Sequence, residues 1–137
     1  FVGHAGEVWQ CVEDKDVAWH CGANTYKHPY CRNTNSIGIE MCCRKNNSNG
    51  TWYFEDTTVQ STIELTKELM KKYNIPASNV IRHFDVTGKT CPEPYVRDTR
   101  AWNNFKASLS SNAPATSYIV RINTDVLNVR KGAGTGY

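Results

Sequence analysis

His83-Phe84-Asp85-Val86-Thr87-Gly88-Lys89-Thr90-Cys91-Pro92 gathers an imidazole, a thiol and an ammonium within one short run. His83 and Cys91 stand eight residues apart, joined by a loop with Gly88 as hinge, so both side chains can reach one metal ion. Imidazole and thiolate are ordinary zinc donors, and a catalytic zinc takes three protein ligands and leaves one position for water. Lys89, two residues before Cys91, can aim its ammonium into the same place and offset charge on a tetrahedral intermediate. A hydrogen-bonded core histidine and a disulfide cysteine are the alternative reading of this spacing.

Upstream, residues 79–82 read as a short strand or extended segment leading into His83. Val59, Ile63, Thr66, Met70 and Tyr73 recur at spacings of four, three, four and three. That predicts a helix over 57–74 with these five on its core face. Thr57 and Gln60 fit a capping box, and Pro76 stops the run. Downstream, a second helix is expected over about 95–109, with Trp102 and Phe105 on its buried side. Further back, Ile37, Ile39 and Met41 alternate with Gly38 and Glu40, which predicts a strand over 36–42 with two distinct faces. Glu40 on that strand either faces solvent or lines a cleft, where burial would raise its pKa and suit it to act as a general base. Residues 46–50 read as a turn, 24–35 as a loop, and 1–12 as two short strands around a glycine-containing turn.

The 137 residues suit one domain, and 39% hydrophobic with 21% charged residues is a globular composition. No apolar run is long enough to span a bilayer, and the N-terminus carries no signal-peptide pattern. The net charge of +3 is dispersed, with no basic stripe interleaved with aromatics, so nucleic acid is not an expected partner. Cys11, Cys21, Cys31, Cys42, Cys43 and Cys91 fit either a disulfide framework or buried free thiols, one of them recruited by a metal.

Asn35-Ser36-Ile37-Gly38-Ile39-Glu40, followed about forty residues later by the 83–92 run, resembles the type-2 N-acetylmuramoyl-L-alanine amidases. That family includes cell-wall amidases of phages and bacteria and the peptidoglycan-recognition proteins. Val17-Ala18-Trp19-His20-Cys21-Gly22 is similar to the segment these amidases place ahead of the strand, and the likeness covers residues 1–109. It implies an α/β fold, a mixed central β-sheet flanked by helices, with zinc (Zn2+) at the floor of a groove. It implies that His83 and Cys91 are zinc ligands, that Glu40 orients or deprotonates the zinc water, and that Lys89 stabilises the oxyanion. His20 is expected to line the cleft near the substrate, or to be a hydrogen-bonded structural histidine; His4 and His28 are expected at the surface. The implied substrate is peptidoglycan, cut at the amide between N-acetylmuramic acid and L-alanine.

The family's first zinc ligand is a histidine on a strand ahead of the opening hairpin, and nothing precedes Phe1. The amidase domain is therefore expected to be N-terminally incomplete. Otherwise His20 substitutes for the ligand, or a second chain completes the site. Residues 110–117 have the composition of a linker, and 118–137 resemble the start of a bacterial SH3-like wall-binding module, the layout of an endolysin. A secreted autolysin, a peptidoglycan-binding module that does not cleave, and a disulfide-rich structural domain are the rival readings.

Overall fold

The computed structural model describes residues 1–110; the linker expected from 111 onward and the SH3-like segment over 118–137 lie outside them. Val2 organises the N-terminal part. It bridges Val8 in antiparallel fashion around a turn in which Gly6 has φ +83°, and it bridges Met41 in parallel. The expected opening hairpin is thus present, and pairing of both senses meets at one residue.

The strand expected over 36–42 is reduced to that bridge at Met41, framed by Val2 N–H to Glu40 O at 2.7 Å and Cys42 N–H to Val2 O at 2.9 Å. Ile37, expected on a core face, is 44% exposed. The His20 ring lies against Gly38, where a Cβ would come within 2.6 Å of it. The ring thus covers one face of this segment. A hairpin that the alternation pattern does not reveal follows: β1 (Arg44–Lys45) pairs antiparallel with β2 (Trp52–Tyr53), in register Arg44↔Tyr53, around the expected Asn46–Gly50 turn.

Helix α1 (Asp56–Tyr73) matches the predicted helix to within a residue, ending at left-handed Asn74, whose N–H returns to Met70 O. Its start differs. Glu55 is the N-cap without a side-chain cap, and Thr57 donates to His4 O at 2.6 Å instead of closing a capping box. The buried stripe is also rotated, to Thr58, Thr62, Ile63 and Thr66. The threonines can be buried because each hydroxyl has an acceptor: Thr58 on Gly3 O, Thr62 on Thr58 O and Thr66 on Thr62 O. Tyr73, expected in the core, is 40% exposed, and its hydroxyl donates to Asp14, which also binds Lys72.

After a 3-10 turn (Ala77–Asn79) come α2 (His83–Thr87), α3 (Glu93–Arg97) and α4 (Thr99–Ser110). The single helix expected over 95–109 is broken at Asp98, which adopts φ −116°, ψ 94° and caps α4 by accepting Ala101 N–H at 3.0 Å. Ile63, Tyr95, Phe105 and Leu109 form the core, with Met41, Phe54, Val59, Met70 and Trp102 packed against it. Tyr95 is its aromatic centre, 5.0 Å from Phe54, 5.4 Å from Phe105 and 5.7 Å from Trp102 between ring centroids. The described residues are α/β, and the helices outweigh the pairing.

Candidate active site

The quoted run folds as a short helix and a return. Residues 83–87, expected as loop, form α2, and Gly88 ends it at φ +87° with its N–H on Phe84 O. The chain then doubles back: Cys91 N–H bonds Lys89 O, and Phe84 N–H bonds Cys91 O at 2.8 Å. That closure brings Cys91 beside the first turn of α2, where His83 sits. Arg82 fixes the helix start. Its backbone N–H and its guanidinium donate to Asp85, a further N–H donates to Tyr95 O at 2.9 Å, and the guanidinium lies over the Phe84 and Trp102 rings.

Two of the expected site residues, Glu40 and Lys89, act electrostatically on two others, His83 and Cys91. Burial pushes the His83 imidazole below its usual range; the Lys89 and His20 charges add to this, and Glu40 opposes it. His83 is thus neutral at neutral pH, the form that donates a lone pair to a metal. Burial pushes the Cys91 thiol up, Glu40 and Cys43 push the same way, and Lys89 partly offsets them. Glu40 is exposed, so the burial expected to tune it is absent, yet its charge reaches both His83 and Cys91.

His83 and Cys91 have the donor chemistry zinc takes. Among the described residues, no three His, Cys, Asp or Glu side chains form a group that could hold a metal ion. His20 does not fill the gap. Its Nδ1 lies 2.9 Å from Ala18 O and its Nε2 2.9 Å from Ser36 Oγ. His4 and His28, expected at the surface, are half-buried; His28 Nδ1 accepts the N–H groups of Tyr30 and Cys31.

Beside His20 the loop builds a cleft of about 490 Å³, lined by Val17, Trp19, Tyr26, Arg32 and Asn33 among others. Glu40, His83, Lys89 and Cys91 do not line it, nor does His20, expected to line a substrate cleft. Its wall is well tied. Asn33 Oδ1 accepts the N–H groups of His20 and Cys21, the Arg32 guanidinium stacks 3.9 Å from the Tyr26 ring, and Arg32 donates to His28 O and Cys31 O. Trp19 stands 68% exposed at the rim. Neither the cleft nor the position of Cys43 near Cys91 is signalled by periodicity. The one available hint was the cluster of Tyr, Asn and Arg in an aperiodic loop.

The N-acetylmuramoyl-L-alanine amidase family model matches residues 1–94, and the chain belongs to that family. It is 37% identical over 111 residues to the N-acetylmuramoyl-L-alanine amidase CwlL of Bacillus licheniformis, covering 77% of this chain and 29% of the relative. A probable N-acetylmuramoyl-L-alanine amidase of the same species is 32% identical over the same shares. The amidase AmiD of Escherichia coli is 33% identical over 64% of this chain and 33% of its own length. The chain therefore spans about a third of the length of these relatives. No solved structure matches it.

Proposed function

We propose that this chain carries the catalytic part of a zinc-dependent peptidoglycan amidase acting at the bacterial cell wall, of endolysin or autolysin type. It would cleave the amide between the lactyl group of N-acetylmuramic acid and L-alanine. The observation that carries the reading is the chain reversal that returns Cys91 to the first turn of α2, where His83 stands, with the charges of Glu40 and Lys89 acting on both, within the segment that matches the family. His83 and Cys91 would hold the metal, with a third donor from outside the described residues. Bound zinc would polarise the scissile carbonyl and acidify water. Glu40 takes the proton of the attacking water and returns it to the leaving amine of L-alanine. The Lys89 ammonium faces the carbonyl oxygen as it gains negative charge. His20, held by Ala18 and Ser36, keeps the neighbouring cleft in shape for the muramyl peptide.

A peptidoglycan-binding role without cleavage is the second reading, favoured by the two-donor set among the described residues. Elemental analysis of the purified protein, run beside peptidoglycan turnover, separates the two. The expected result is zinc near one per chain, lost in Cys91→Ser. Glu40→Gln should keep its zinc and lose about 10²–10⁴-fold in kcat. An unsubstituted protein that binds peptidoglycan but neither holds zinc nor turns peptidoglycan over would overturn the catalytic reading.

A further inference from the structure

Helix α2 is five residues long (His83–Thr87), far short of the roughly 12–15 at which a helix begins to hold itself in water. Its geometry therefore depends on what grips its two ends. Arg82 grips the first through Asp85 and Tyr95 O. The second is gripped by the loop that walls the cleft. Lys27 N–H and His28 N–H both donate to Val86 O, at 2.8 and 3.1 Å, and Val86 is itself buried. The Lys27 side chain then runs on to Gly88. A Cβ built there would come within 2.7 Å of Lys27 Cε, so the lysine stem lies directly against the left-handed residue that ends α2. Lys27 Nζ lies over the Phe84 ring, 4.9 Å from its centroid, and the Arg82 guanidinium lies over the same ring at 5.3 Å. Tyr26, the residue before Lys27, lines the cleft and carries the Arg32 guanidinium.

We propose that Lys27 is a positioning residue for the amidase site, a role that rests on Lys89 serving as the cation that meets the oxyanion. The Lys27 stem holds the Gly88 turn, and through that turn it sets where the Lys89 ammonium points. Gly88 has no side chain to brace the turn itself, and its φ of +87° is one that few other residues adopt. Lys89 follows directly and is exposed. An ammonium that must meet a developing oxyanion loses much of its effect when displaced by about 1 Å. Lys27 acts on it only by packing, on Gly88 and on the Phe84 ring.

Amide hydrogen exchange, followed by NMR on the full protein without substrate, reads the grip on Gly88; turnover of a soluble muramyl peptide reads its consequence. Lys27→Ala removes the stem, and Lys27→Met keeps an unbranched stem without the charge. Lys45→Ala is the control, removing a lysine that lies over Trp52 in the β1–β2 hairpin. In Lys27→Ala the Gly88 N–H, which bonds Phe84 O, should exchange roughly fivefold faster, while the α1 amides keep their rates. Its kcat should fall roughly tenfold with KM held within about twofold. Lys27→Met should recover most of both, and Lys45→Ala should change neither. Unchanged Gly88 exchange in Lys27→Ala overturns the proposal. So does an equal loss of kcat in Lys27→Ala and Lys27→Met, which would make Lys27 a charge acting on substrate directly. The exchange readout needs neither zinc nor turnover. A failure of the amidase reading therefore shows separately, as no turnover in the unsubstituted protein with the Gly88 effect intact, and it would leave Lys27 no reaction to position for.

Discussion

Asp85 shows how one residue two positions from His83 bears on both stability and geometry. Burial pushes its carboxyl up, but the Arg82 hydrogen bonds and charge outweigh this and hold it below the usual carboxylate range. A carboxylate with a depressed folded value stabilises the fold above its unfolded pKa, and that stability is lost as the pH falls through the folded value. The protein should therefore lose stability below about pH 4. Asp85→Asn should cost roughly 2 kcal/mol at neutral pH and flatten that acid limb, measured by urea unfolding across pH. Gly38 makes a second residue-level case. An added methyl group would meet the His20 ring at 2.6 Å, so Gly38→Ala should cost about 1–3 kcal/mol. It should also shift the His20 ring resonances in NMR; unchanged resonances would remove His20 from its place beside the 36–42 segment.

Elements were legible where local chemistry decides them and obscure where packing does. Helix α1 could be read from the spacing of Val59, Ile63, Thr66 and Met70. Its buried face could not, because Thr58 and Thr62 look polar until Gly3 O and the helix's own carbonyls accept their hydroxyls. The break at Asp98 is a capping event within an otherwise helical pattern. The 36–42 alternation promised a strand, but pairing depends on what lies alongside, and among the described residues the segment is bridged at Met41, by Val2. Within the candidate site, His83, Lys89 and Cys91 were readable from one run, while Glu40 needed the family resemblance to join them. The cleft wall was not readable, since its residues are tied by side-chain-to-backbone bonds without a period. Tyr95, in α3, yields an expectation at this scale. Its hydroxyl is buried with no partner among the described residues, and burial pushes its pKa up to about 12. Tyr95→Phe should keep the ring packing and raise stability by about 1 kcal/mol; a clear loss on chemical unfolding would reveal a partner for that hydroxyl.

For the whole molecule, the described residues carry two features beyond the helical core of α1, α3 and α4. One is the group of Glu40, His83, Lys89 and Cys91; the other is a cleft beside His20. Among the described residues, no helix is long and apolar enough to cross a membrane. The identity of the bond cut decides the matter. Purified peptidoglycan incubated with the full protein should yield stem peptides with free L-alanine amino termini and no new reducing sugar ends, seen by mass spectrometry of the soluble fragments. New reducing ends, or binding with no release of peptide, would contradict an amidase centred on His83 and Cys91.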